Sequence, residues 1–185
     1  GIQSPAAVGD MRTPMMAGHG TASISQAELL TMQRAPFAVR ALNHLTAGAT
    51  AASLAEFNAL GSNDTARLTA FVDQQLNPSA IDDSALDARL NGAGYTTLNK
   101  SLTQLWADHR IVTTDSSAPA RETQRAALVR AVYSRRQLQE VMVDFWQNHF
   151  NVAITNSGAA PVYVHYNRDV IRANSLRNFR TMLEA

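Results

Sequence analysis

The sequence predicts an all-α fold: an irregular multi-helix bundle, the N-terminal portion of a larger helical domain, with an extended N-terminal arm. Three observations predict it. Of 185 residues, 45% are apolar but only 6% aromatic, and Ala fills 31 positions. That mixture favours close packing of small-residue helices over an aromatic-rich β-sandwich. From residue 25 onward, apolar residues recur at three- and four-residue spacings, and many of these stretches open on Ser, Asn or Pro and close on Gly or Pro.

Residues 1–24 hold Gly, Pro, Ala, Ser and Thr without a helical period and read as the arm. Either it lies on a partner surface, with Met11, Met15 and Met16 as adaptable anchors, or it is mobile, an unstructured leader remnant. The helical domain spans 25–185. Ser25 caps a short helix containing Leu29, Leu30 and Met32. Pro36 suits the first turn of a 36–46 helix with Phe37, Val39, Leu42 and Leu45 apolar, ended by Gly48. The next helix, 51–60, carries Leu54, Phe57 and Leu60 and stops at Gly61. Asn63 or Asp64 starts 64–76, with Leu68, Phe71, Val72 and Leu76 inward, and Asn77-Pro78 closes it. A short helix near 82–91 gathers Ile81, Leu86 and Leu90. After the Asn91–Gly94 turn, Tyr95 to His109 reads as one helix burying Leu98, Leu102, Leu105 and Trp106. A polar loop, 112–119, precedes a 120–133 helix presenting Ala127, Leu128, Ala131 and Val132.

The segment Ser134–Phe150 is the most informative. Ser134 and Gln137 match a capping box. Leu138, Val141, Met142, Phe145, Trp146 and His149 then fall on one stripe, read as buried. Glu140 and Asp144 lie one turn apart, with Arg136 and solvent as expected partners. His149 on that stripe is either a core histidine satisfied by hydrogen bonds or a catalytic base or metal ligand at the helix end. Asn148 beside it either orients a substrate carbonyl or caps the helix. Glu140 and Asp144 lie off the His149 direction, so no metal site is predicted.

Beyond a Gly-Ala-Ala-Pro turn, His165 and Asp169 are spaced i, i+4 on a further helix. A carboxylate there fixes a histidine tautomer or raises its pKa; alternatively the two form a surface ion pair worth ~0–1 kcal/mol. Arg168 and Arg172 repeat that spacing and are candidates for binding an anionic group or the carboxylates of a continuing chain. Leu176, Phe179, Met182 and Leu183 give the last segment one apolar face, and no Gly, Pro or polar run ends it. The domain therefore reads as incomplete at its C-terminus.

Composition excludes several function classes. Sixteen basic residues face fifteen acidic ones, a net of +1, so nucleic-acid binding has no electrostatic footprint. Residues 1–120 carry seven basic and ten acidic side chains, and 121–185 carry nine and five. The two stretches attract, within a Debye length of ~8–10 Å. No apolar run reaches membrane-spanning length. Zero cysteines exclude disulfides, thiolate zinc sites and cysteine nucleophiles. Gly-rich phosphate loops, Gly-x-Ser-x-Gly elbows and His-Glu-x-x-His motifs do not occur, and no cofactor is named by any motif.

Three blocks carry a resemblance. One is Ala41-Leu-Asn-His-Leu-Thr-Ala-Gly-Ala-Thr50 with Phe71-Val-Asp-Gln-Gln-Leu-Asn-Pro78. The second, and the specific one, runs from Leu128 through Phe145-Trp-Gln-Asn-His-Phe150. The third is Asp169-Val-Ile-Arg172 with Leu176, Asn178-Phe-Arg180 and Met182-Leu183. Together they resemble the bacterial domain-of-unknown-function 1800 family, whose members are usually longer, helical and often exported. The resemblance implies a periplasmic or extracellular location and brings no assigned activity. It also exposes departures. Gln147 stands where the family's aromatic block usually has a first His, and Arg172-Ala-Asn-Ser-Leu-Arg177 stands for Arg-Pro-His-Ala-Leu-Gly. His44 and Ala47 replace Arg and Phe in the family's Leu-Asn-Arg-Leu-Thr-Phe-Gly stretch. Gln147 and Asn174 hydrogen-bond but do not titrate.

Two functions compete. One is an exported scaffold or assembly subunit working with another polypeptide, which includes the C-terminal remainder of its own precursor. The other is an extracellular hydrolytic enzyme using Asn148, His149, His165 or Asp169, with Arg168 and Arg172 as binding residues. A polysaccharide- or peptide-binding module, stacking on Trp106 and Tyr95, comes third.

Overall fold

A computed structural model describes residues 34–112, 115–154 and 158–185. The arm at 1–24 and the Ser25 helix with Leu29, Leu30 and Met32 lie outside the described residues. Within the unit Ala35–Ala185, the described residues are helices and turns with no strand, as the composition and periodicity predict.

α1, Phe37–Leu45, begins after Pro36, which stays outside the helix at ψ 149°. Thr46 ends it: both its backbone N–H and its hydroxyl donate to the Leu42 carbonyl, at 2.9 and 2.7 Å. α2, Ala51–Ala59, starts on a Thr50–Ser53 capping box. α3, Asp64–Gln75, starts on Asn63, whose side chain accepts from Ala66 N at 2.9 Å. Gly61 between them is a packing requirement, since a Cβ there would lie 2.9 Å from that of Ala66. These three helices close around Ala38, Leu42 and Phe57, with Leu54, Leu68 and Phe71 against them. Phe57 meets Phe71 edge-on at 5.7 Å. Burial of Leu42 and Phe57 contributes about 1.5–3 kcal/mol each.

One inward position differs from the reading of α3. Leu76 is exposed and Gln75 is buried. Gln75 donates to the Arg135 carbonyl at 3.0 Å and accepts from Leu138 N at 3.1 Å, so its amide stitches α3 to the 135–138 stretch.

α4 is Ser84–Gly92. The expected 95–109 helix starts later. α5, Leu102–Trp106, is capped by Ser101 with Gln104 reciprocating, and it continues as a π-helical turn, Ala107–Ile111. Thr97 upstream gives its N–H (2.8 Å) and hydroxyl (2.6 Å) to Glu122 instead of to a helix. Leu105 is fully buried, whereas Leu102 and Trp106 are exposed.

α6, Ala118–Tyr133, turns the other way from the prediction. Ala120, Thr123 and Ala126 face inward, while Leu128 and Val132 are exposed. Its neighbour is the 3-10 turn Ala160–Val162, and Ala120 packs there against Ala160 and Tyr163. Small side chains permit that approach.

α7, Gln137–Phe150, packs on α1, α3, α6 and the 166–172 segment, and so is the central beam. Ser134 does not cap it. Its hydroxyl donates to Asp83 at 2.6 Å, and Asp83 also accepts Arg135 N at 2.7 Å. The buried stripe is Glu140 and Val143; Phe145 and His149 lie at the surface, Phe145 at 51% exposure. α8, Tyr163–His165, runs straight into a π-helix, Tyr166–Arg172. α9, Phe179–Leu183, is capped by Asn178. It buries Met182 against Val143 and Ile171 and leaves Phe179 and Leu183 exposed.

Candidate functional site

The π-helix and His165 just before it assemble a charged group. His165 Nδ1 donates to Asp169 Oδ2 at 2.7 Å. Arg168 forks onto the same carboxylate, Nε to Oδ1 and Nη2 to Oδ2, both 2.7 Å. Its remaining Nη1 donates to the carbonyls of Leu98 (2.8 Å) and Lys100 (3.1 Å). The Arg168 fork, against some opposing burial and with help from His165, holds Asp169 below its usual carboxylate range. The Asp169 carboxylate, accepting from Nδ1–H, fixes the orientation of the His165 ring.

Arg168 also ties this group to one the sequence reading missed. Lys100 Nζ lies 3.0 Å from His109 Nε2 and 2.9 Å from Asp108 Oδ2. His109 is buried, and its Nδ1 donates to the Asp115 carbonyl at 2.9 Å. With Nδ1 donating, Nε2 is the ring's acceptor toward the ammonium. Tertiary folding alone brings Lys100, His109 and Arg168 together. The usable hint was local: Lys100 is the chain's single lysine.

Arg172 is elsewhere. It makes a two-bond fork with Glu140, Nη1 to Oε1 at 2.7 Å and Nη2 to Oε2 at 2.6 Å. That corrects the expected Arg136 partner, because Arg136 donates to the Ile81 carbonyl at 3.0 and 3.3 Å. Asp144 takes Asn148, at 3.1 Å. The neighbouring Gln147 donates to Tyr163 Oη at 3.3 Å. Asp144, Gln147 and Asn148 line a groove of about 820 Å³ together with Arg121 and Arg125. A larger groove, about 980 Å³, lies by Leu42, Phe57 and Gln75 and holds none of the predicted site residues.

His149 joins an aromatic cluster at the end of α7. It stacks on Phe145 (centroids 5.9 Å) and meets Trp146 and Phe150 edge-on at 5.6 and 5.4 Å. Trp146 stacks in turn on Phe150 and Phe179, at 5.9 and 5.4 Å, and its Nε1 donates to the Ser175 carbonyl at 3.1 Å. The structure therefore brings His165, Arg168 and Asp169 together. It gives Asn148, His149 and Arg172 partners of their own. Among the described residues, no group of three metal-ligating side chains occurs, and no helix is long and apolar enough to cross a membrane.

No curated protein and no solved structure matches the chain. A family model described as "Protein of unknown function (DUF1800)" matches residues 40–185, which takes in α1 to α9 from its first turn, the aromatic cluster and the His165–Asp169 group, and the chain belongs to that family.

Proposed function

We propose that this chain is the helical assembly module of an exported bacterial protein and works by seating a second polypeptide on the aromatic face at the end of α7. The observation that carries the reading is the exposure of large rings. Phe145 is 51% and Phe179 45% exposed, around a Trp146 that is itself anchored to the Ser175 carbonyl. Exposed aromatic clusters on a rigid, hydrogen-bonded base are the usual anchors of protein interfaces. Native mass spectrometry on the protein from its source tests it. A stable complex with a second polypeptide, dissociated by Phe145→Glu or Phe179→Glu, is the expected result. A solitary monomer in which neither substitution changes anything sinks the proposal.

A second reading, extracellular hydrolysis, draws on the His165–Asp169 bond. There Asp169 orients the ring and Nε2 serves as general base, with Arg168 as the nearby cation. Asn148 and His149 take separate partners and stand apart from this chemistry. Turnover of fluorogenic ester, peptide or glycoside substrates that disappears in a folded His165→Gln variant supports it; none in the parent protein refutes it.

A further inference from the structure

The groove lined by α6 and the second half of α7 serves neither reading of the function. Gln124, Arg125 and Leu128 line it from α6, and Asp144, Gln147 and Asn148 from α7, around a volume of about 820 Å³. Asn151, in the left-handed region at φ 48°, ends α7, and the chain beyond it brings Val152 and Ile154 to the same groove. Both pack on the cluster of Ala120, Ala160 and Tyr163, so this side is apolar and backed by core.

Two opposite charges in this groove lack a charged partner. No described residue hydrogen-bonds to the Arg125 side chain or pairs with it. Asp144 accepts from the neutral Asn148 amide at 3.1 Å and forms no ion pair among the described residues. Arg121, by contrast, is held by Asp115 at 2.6 Å. Arg125 and Asp144 thus line one cavity from two helices without meeting each other. A ligand that satisfies both carries a carboxylate and an ammonium.

The rest of the lining says what joins those two groups. Gln124, Gln147, Asn148 and Asn151 each bring a carboxamide, which offers a donor and an acceptor together, the complement of a peptide group. The Asn148 and Gln147 NH2 groups are engaged by Asp144 and Tyr163, which leaves their carbonyl oxygens to accept peptide N–H. Leu128, at 71% exposure, is an open apolar contact. Tyr163, the groove's ring among the described residues, is 7% exposed, so no open aromatic platform favours a sugar. The volume lies in the upper part of the ~300–1,000 Å³ typical of ligand sites and exceeds what one amino acid fills. We propose that this groove binds a short extended peptide with both ends charged, its carboxylate on Arg125, its ammonium on Asp144, its peptide groups on the carboxamides and an apolar side chain on Leu128.

Titration of the 15N-labelled chain with the peptides Ala-Leu-Ala, Ala-Leu-Leu-Ala and Ala-Leu-Leu-Leu-Ala tests it. At least one is expected to shift the Gln124, Gln147 and Asn148 side-chain amide signals saturably. The same peptide, acetylated and amidated at its ends, should bind about ten-fold more weakly or worse, and maltotetraose should shift nothing. Arg125→Gln and Leu128→Ala should each weaken the peptide about five-fold or more. Both side chains are exposed, so the two variants keep the parent's stability, and circular dichroism checks their fold. Four outcomes overturn the site: no saturable shift with any of the three peptides, equal affinity for the capped peptide, a maltotetraose response equal to the peptide's, or parent affinity in both folded variants.

Discussion

Glu140→Gln is the sharpest test of how α7 meets the π-helix. The side chains of Glu140 and Arg172 are 7% and 17% exposed, and two bonds of 2.6 and 2.7 Å join them. Gln keeps the shape and one acceptor but deletes the charge, leaving the Arg172 guanidinium without a charged partner. Removing one partner of a buried pair costs about 3–5 kcal/mol. Solvent reaches Arg172 more than Glu140, so the lower end, about 3 kcal/mol, applies. For a chain of this size that lowers Tm by about 6–12 °C, read by thermal denaturation at pH 7. The double variant Glu140→Leu with Arg172→Met removes both charges and should recover most of the loss. A single variant within about 0.5 kcal/mol of the parent would refute the claim that this pair sits in a low-dielectric contact.

Other substitutions and pH probe different parts of the fold. Phe57→Ala should cost about 3–5 kcal/mol in chemical denaturation, because the side chain is sealed among α1, α2 and α3. Leu128→Ala, although equally apolar in sequence, should stay within about 0.5 kcal/mol because α6 turns it to solvent. Arg168→Lys keeps the charge but loses the planar fork shared by Asp169, Leu98 and Lys100. It should cost about 1–2 kcal/mol in urea, a figure reduced for the partial exposure of the group. Asp115 is held at about 2, chiefly by its hydrogen bond from Arg121. A depressed folded pKa makes its contribution fully present above the ordinary 3.8 and lost as pH falls from there toward 2. A carboxyl 13C titration of the parent protein should show that low midpoint, and Arg121→Gln should return it toward 3.8.

Helix existence was legible because its signals are local. Asn63 places a side-chain oxygen where an orphan N–H needs one, and Gly61 marks the tight α2–α3 passage; the Ser101 and Asn178 caps, by contrast, fall inside the helices the periodicity predicts. Which face turns inward was not legible on α6 and α7, for one physical reason. Hydropathy ranks Leu128 and Val132 above Ala120, Thr123 and Ala126, but the approach of α6 to Ala160 selects for small volume. On α7, Glu140 outranks Phe145 for burial because Arg172, 32 residues downstream, neutralises it. The same blindness hid the link from Arg168 to the Lys100 carbonyl, 68 residues away. His165 and Asp169, four residues apart, were visible because one helical turn suffices to join them. Local spacing therefore reveals charges that pair within a turn, and a charge on an inward stripe with no local partner points to something distant. For Glu140 that something is Arg172.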